Sequence, residues 1–183
     1  MRVQSLKKQA SNGVSVVVRK PRARANISAA ARARDTQLAL SSDLSYDIMT
    51  SLAGFWIRRA QLVVMKSFDR HFSDLQLRPV EAAALILIGK NQDISQNVLA
   101  TALGTDQATM VAISTRLEDQ NLISRQRSVA DRRYQVLNLT SEGKKTATVV
   151  KKCLTVHNEN VLKNLSATQR KQLVSSLQAI VQR

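Results

Sequence analysis

Between Ile94 and Thr140 the chain reads ISQNVLATALG, then TDQATMVAISTRLEDQNLI, then SRQRSVADRRYQVLNLT, and no other stretch restricts the fold as much. Ser95 is placed to accept from the first-turn amides of a helix. Its apolar Val98, Leu99, Ala102 and Leu103 recur at helical spacing until Gly104 supplies a left-handed stop. Thr105 or Asp106 caps the next helix. Its Met110, Ile113, Ser114 and Leu117 fall at i, i+3, i+4 and i+7 and are expected to face a core.

The opposite face of that second helix carries Gln107, Ala108, Val111, Ala112 and Thr115. A helix of this size fits the major groove of DNA, where glutamine pairs with an adenine edge and small apolar groups meet thymine methyls. Gln107 is the first choice for base reading. A solvated polar turn on an ordinary helix fits this spacing equally well.

After the helices, Leu122 and Ile123, then alternating Gln135, Leu137 and Leu139, read as two strands that hide one face. Arg125, Arg127, Arg132 and Arg133 sit at or near the connecting tip. Four guanidiniums repel one another there unless an anion is near. Such a ribbon can touch phosphates and push an arginine into a narrow minor groove, and a solvated basic hairpin is the other reading. The whole order is that of a helix-turn-helix with a wing, which predicts DNA binding.

With these residues in view, the chain resembles the MarR family of bacterial transcription regulators. The resemblance rests on ISQNVLATALG, DQATMVAISTRLEDQNLISR and DRRYQVLNLTSEG, the last similar to the family's D-x-R wing with its V-x-L-T strand exit, and extends from about Leu44 to the C-terminus. It implies a mainly α fold with a small β-wing. A winged helix-turn-helix lobe at about 79–140 would lie between dimerisation helices at about 44–75 and 141–183. It also implies that Asp131 orients Arg133 and that Arg133 enters the minor groove. Ala112 departs from the family, which commonly has a basic or polar residue there, and leaves open which bases are read.

The 183 residues are 44% hydrophobic and 3% aromatic, which suits one modest domain with a helical core. Formal net charge is +15 and unevenly spread: residues 1–34 hold Arg2, Lys7, Lys8, Arg19, Lys20, Arg22, Arg24, Arg32 and Arg34 without one acid. The remainder, with nineteen basic and thirteen acidic residues, keeps +6. Polyanion binding follows. Residues 1–40 read as a flexible basic arm, since no amphipathic period there is long enough to bury a core. It could track phosphates, be a neutral upstream extension, or be a transit-like leader. One cysteine, Cys153, allows no intrachain disulfide and suits a reducing cytoplasm. Apart from Lys151 and Lys152 it has no adjacent cation, and it has no resolving thiol, so packing is preferred to a redox role. No apolar run reaches membrane-span length.

In residues 41–183, a first helix is predicted from about Leu44 to Leu75, with Ile48, Leu52, Phe55, Leu62 and Lys66 on one stripe flanked by Trp56, Val63 and Ser67. Arg59 lies on that side and must find a carboxylate such as Asp69, reach solvent, or meet an anion. His71 reads as a satisfied interior or surface histidine. Pro79 opens a second helix, Val80 to Ile88, apolar nearly all round and central to the core, with Gly89 as its stop. Beyond Leu139, Thr140 caps a helix of about twenty residues with Ala147, Val150, Leu154, His157 and Val161 in a stripe. A last helix starts at Ser166 with Gln169 set for a capping box and carries Leu173, Val174, Leu177, Ile180 and Val181. The winged module does not need these outer helices for its own core. Their stripes predict a symmetric homodimer, with Cys153 and His157 in or beside the interface.

Two isolated histidines offer no metal spacing, and no nucleotide-binding or nucleophile motif appears, so neither a cofactor, a metal nor an enzyme is expected. The reading is a dimeric regulator, by default a repressor, in the bacterial cytoplasm and on the nucleoid when bound. Its site is expected to be an inverted repeat in double-stranded DNA. Gln107, Thr109, Thr115 and Arg116 are candidates for groove and nearby phosphate contacts, Ser95 and Gln96 for phosphate at a helix start, and Arg132 and Arg133 for shape readout. The resemblance implies a small aromatic or phenolic effector, often anionic, for which Trp56, Arg59 and His71 are the first residues to consider. A sequence-tolerant architectural protein driven by the arm is the alternative.

Overall fold

The computed structural model describes residues 40–128 and 135–182. The chain divides between Asp43 and Leu44, and the unit beginning at Leu44 is described here. A 3-10 turn, Asp47–Ser51, precedes helix α1, Ala53–Phe72, which ends in a second such turn, Ser73–Leu75. The uninterrupted helix expected from about Leu44 is therefore broken at Leu52, whose backbone is extended (φ −90°, ψ 121°). Leu52 is 44% exposed and has little to pack on, and Gly54 just beyond it is a poor helix former, so nothing in the unit opposes the break.

Helix α2, Pro79–Lys90, starts with Pro at its first position and with Glu81 accepting the Arg78 amide at 2.7 Å. Ala82, Ala84, Leu85 and Ile88 are buried, as its apolar run predicts. Gly89 does not stop it. The helix continues to Lys90, and Asn91 closes it by donating its amide (3.1 Å) and its side-chain Nδ2 (2.8 Å) to the Leu87 carbonyl. Gly89 instead permits a close approach, because a Cβ there would stand 2.8 Å from Leu139 Cδ1.

Strand β1, Ile94–Ser95, was not anticipated. Helix α3, Gln96–Ala102, follows under the Ser95 cap, whose Oγ accepts from the Val98 amide at 3.3 Å. Gly104 takes φ +61°, the left-handed stop read from the sequence. Helix α4, Gln107–Asp119, is capped by Asp106, and Met110, Ile113, Ser114 and Leu117 are all buried. Strands β2, Ile123–Arg127, and β3, Gln135–Leu139, complete an antiparallel sheet ordered β1-β3-β2, with Ile94 opposite Leu137 and Ile123 opposite Leu139. The simple alternation expected in β3 is not observed: Gln135 is exposed, while Val136 and Leu137 are both buried. β3 is the central strand and touches α2, α3 and α5 (Ser141–Val161), so both of its faces are covered at mid-strand.

Thr140 caps α5, accepting from the Gly143 amide at 2.9 Å and donating to the Asn121 carbonyl at 2.6 Å. The last helix, α6, Ala167–Val181, carries the expected capping box, with the Gln169 amide on Ser166 Oγ (3.3 Å) and the Ser166 amide on Gln169 Oε1 (2.9 Å). The outer helices are less independent of the core than the sequence suggests. Phe68 and Phe72 of α1 and Val150 of α5 are buried in the same core as Leu85, Leu99, Met110, Leu117 and Leu137. His157 and Cys153, expected at a dimer interface, pack within the protomer because α5 lies on α1. His157 Nδ1 is 3.1 Å from Ser67 Oγ and its ring meets Phe68 edge-on. Burial, and then the charge of His71, push its pKa below the ordinary value of 6.5. Burial first and Asp74 second raise that of the Cys153 thiol, which keeps it in the unreactive protonated form.

Two consequences are measurable. A Cβ at Gly143 would lie 1.8 Å from the Leu122 carbonyl oxygen, so Gly143→Ala must shift backbone and should cost about 1–3 kcal/mol or more in urea unfolding. Gly54→Ala, in open space, should be neutral or slightly stabilising. For His157 the unfolded chain takes the proton first. Its contribution is intact above about 6.5 and is lost as pH falls through the lowered folded value. Urea stability measured between pH 7.5 and 5 should fall on acidification, and His157→Gln should flatten that slope.

Candidate nucleic-acid interface

Helix α4 presents the surface singled out in the sequence. Gln107, Ala108, Val111, Ala112 and Thr115 are all exposed, on the side opposite the buried Met110, Ile113 and Leu117. At its start Asp106 accepts the Thr109 amide at 2.8 Å and the Thr109 hydroxyl at 2.6 Å. These bonds, the hydroxyl's first, hold the Asp106 carboxyl below its ordinary pKa. Thr109 is thus committed to the cap, and its hydroxyl proton is not available to DNA. The Gln107 side chain, at the first position of the helix, makes no hydrogen bond among the described residues.

Arg116 points elsewhere. Its Nε lies 3.3 Å from Oε1 of Glu81, which is 1% exposed, and its Nη2 donates to the Gln76 carbonyl at 3.1 Å. Gln76 has φ +51°, a left-handed conformation uncommon for a non-glycine, and it turns the chain between α1 and α2. The Arg78 amide occupies the other oxygen of Glu81. One buried carboxylate therefore joins the start of α2 to the last turns of α4, and its ion pair, with the Gln76 carbonyl, holds the Arg116 guanidinium. The sequence offered a signal: a glutamate two residues after the opening proline is the third position of a helix start.

At the root of the wing Arg125 is half-buried and bonds to Glu118 Oε2 through Nε at 2.7 Å and to Thr115 Oγ1 through Nη2 at 3.1 Å. The Arg125 bond lowers the Glu118 pKa. Arg125 is thus a strut between β2 and α4, whereas Arg127, at the outer end of β2, is exposed. Asp131, Arg132 and Arg133 lie outside the described residues. Ser95 spends its hydroxyl on its own helix cap, and Gln96 turns its side chain to Ser114 Oγ at 3.3 Å, tying α3 to α4.

Trp56, Arg59 and His71 do not form one site. Trp56 donates to the Thr50 carbonyl at 2.8 Å, and the Arg59 guanidinium stands over the Phe55 ring, 5.5 Å from its centroid. His71 is twelve residues, about 18 Å of helix, further along. It sits 2.7 Å from the Ser67 carbonyl and 2.9 Å from Asn160 Nδ2. None of the three lines the cleft of about 240 Å³ that opens between Phe68, Asp69, Phe72 and Ser73 on one side and Gln76, Leu77 and Arg78 on the other. No sequence signal marks that cleft, because it exists only through the turn at Gln76.

With this geometry in place, the known proteins that the chain is similar to can be set beside it. A sequence profile described as MarR family matches residues 77–134. A putative transcriptional regulatory protein for the hcr operon of Thauera aromatica is 28% identical over 144 residues, 76% of this chain and 87% of its own length. The HTH-type transcriptional regulator BilQ of Clostridium symbiosum (strain WAL-14163) is 31% identical over 111 residues, 59% of this chain and 77% of its own. The transcriptional repressor CouR bound to a 23-mer DNA duplex aligns at a TM-score of 0.73 and 33% identity over 76% of this chain and 99% of that one. CouR bound to p-coumaroyl-CoA aligns at 0.69 and 30% identity over 75% and 97%.

The strut at Glu81 has an asymmetric prediction. Removing Arg116 leaves a carboxylate buried with one amide, whereas removing the charge of Glu81 leaves a guanidinium that can turn to water. Arg116→Met should therefore cost about 2–3 kcal/mol in urea unfolding and Glu81→Gln about 1 kcal/mol. Equal losses would mean that the pair does not carry the load assigned to it.

Proposed function

The chain belongs to the MarR family of transcription regulators, and from that premise we propose that it acts as a homodimeric repressor. Each protomer lays α4 in the major groove of an inverted repeat, and a small aromatic ligand releases the dimer. The observation that carries DNA reading is the exposed face of α4, with Gln107 uncommitted at its first turn. Gln107 reads a base, Arg127 with Arg132 and Arg133 grips the flanking backbone, and Asp131 orients Arg133. Thr115, its oxygen engaged by Arg125, contributes its remaining proton and its methyl group. Arg116 acts as a strut rather than a phosphate contact. Ser95 and Gln96 contribute through the first-turn backbone amides of α3, while Thr109 serves the α4 cap. The relatives at this level of identity are transcription regulators and not enzymes, and among the described residues no helix is long and apolar enough to cross a membrane.

Pairing is supported by the apolar groups left outside. Leu44, Ile48, Trp56 and Ile57 at the front of the unit and Val174, Leu177, Ile180 and Val181 on α6 are each exposed by 40% or more of their surface. A second copy covers them at the least cost in new surface. For release, the cleft beside Gln76 and Arg78 is the candidate, with an anionic group of the ligand toward Arg78. CouR, whose structure has been solved with p-coumaroyl-CoA, is the precedent for an aromatic acyl ligand. A molecule there would bear on both residues that hold Arg116 and Glu81, and so on α4. The basic arm of residues 1–40 adds salt-dependent affinity without choosing the sequence.

Genomic DNA selected by the purified chain should yield one inverted repeat, and sedimentation should show two chains per particle. Gln107→Ala should cost about 1–3 kcal/mol at one defined base pair, and removal of residues 1–40 should weaken binding without changing the preferred sequence. Challenge with aromatic carboxylates and their CoA thioesters should release the DNA. A lone protomer at working concentration, or loss of all sequence preference with the arm, would replace this reading with an arm-driven architectural protein.

A further inference from the structure

We infer that the centre of the reading face recognises 5-methyl groups of thymine rather than base hydrogen-bonding edges, an inference that rests on the proposed seating of α4 in the major groove. The argument is by the commitments of each polar side chain. Thr109 is bonded to Asp106, Arg116 to Glu81 and Gln76, and Glu118 to Arg125, while Thr115 has its oxygen occupied by Arg125. Gln107 in the first turn, the hydroxyl proton of Thr115 and the exposed Asp119 in the last turn are what α4 has left for base edges. Between Gln107 and Asp119, Ala108, Val111, Ala112 and the methyl of Thr115 form an exposed strip at i, i+3, i+4 and i+7, with Val111 48% exposed.

An exposed apolar strip gains nothing from water, and in a major groove it has one chemical match. Thymine is the ordinary base whose groove edge carries a methyl group, and 5-methylcytosine presents the same group. Charge points to the occupant: outside residues 1–34 the chain still keeps a net charge of +6, which favours a polyanion over an apolar protein partner. The small side chains matter as much as their apolarity. Alanine at 108 and 112 lets the helix axis approach the base edges closely enough for Val111 to reach a methyl.

The test uses the full chain and the operator recovered by selection. Each thymine is replaced in turn by deoxyuridine, which deletes the methyl and keeps every hydrogen-bonding atom, and binding is followed by fluorescence anisotropy. At one or two positions in each half-site, affinity should fall about fourfold per methyl, the value of one apolar carbon removed from water. With Val111→Ala the loss at one of those positions should shrink below twofold, since the partner of that methyl is gone. A parallel series with 5-methylcytosine should leave affinity unchanged. A flat deoxyuridine series on an operator the chain still selects would overturn methyl readout and leave the regulator reading standing. A gain confined to 5-methylcytosine would overturn thymine as the source. Losses that Val111→Ala does not alter would overturn the assignment to α4. Failure to select any operator would instead be a failure of the regulator reading itself.

Discussion

A carboxylate held almost entirely out of water sets the terms for the rest of this structure. Glu81 is 1% exposed, and a bare charge at that depth costs several kcal/mol unless neighbours replace its hydration. Two neighbours do: the Arg78 amide, which belongs to the start of α2, and the Arg116 guanidinium, which belongs to α4. Because each oxygen is bonded to a different element, α4 cannot slide on the core without leaving the charge exposed to an apolar surrounding. The hydrophobic contacts of Met110, Ile113 and Leu117 hold α4 down but are not directional. The ion pair, on one flank, and the Glu118–Arg125 bond to β2, on the other, give that helix its orientation.

This arrangement has an electrostatic consequence for the surface. Three acids near α4 are engaged within the protein, Asp106 on its cap, Glu81 on Arg116 and Glu118 on Arg125, while Asp119 stays exposed. The paired charges offset one another locally, and the exposed Arg127 at the outer end of β2 draws no counter-charge from these groups. Interior pairing thus shapes exterior potential. A group approaching α4 and β2 meets the exposed Arg127 together with the carboxylates of Asp106 and Asp119, of which Asp106 is held in its cap by Thr109.

How much of this could be read from the residues follows from the range of the interactions involved. Helix limits set by short-range chemistry were readable: the Ser95, Asp106, Thr140 and Ser166 caps, the left-handed Gly104 and the buried stripe of α4 all stand as the spacing predicted. Features that depend on a distant partner were not. Nothing near Ile94 says that it will pair with Leu137, nothing near Gly89 announces the approach of Leu139, and His157 has the same stripe whether it faces a second copy or Ser67. The site divides in the same way. Exposure of Gln107 and its neighbours follows from helical period alone, but the diversion of Arg116 toward Glu81 needs the turn at Gln76, a left-handed residue that no rule about glutamine would suggest.

That turn also connects the cleft to α4 without a long chain of contacts. Gln76 lines the cleft and its carbonyl accepts from Arg116; Arg78 lines it too, and its amide shares Glu81 with Arg116. The two surfaces are therefore opposite sides of one short segment, held in a backbone conformation that a glutamine does not favour. Moving this segment would loosen the bonds that Gln76 and Arg78 make to Arg116 and Glu81. Any group that binds the cleft better in one setting of Gln76 than in another biases the setting of α4 by that same difference in free energy and by no more. Tight binding alone would not suffice; the ligand must distinguish two positions of one carbonyl and one amide, which is a demand on its shape rather than on its affinity.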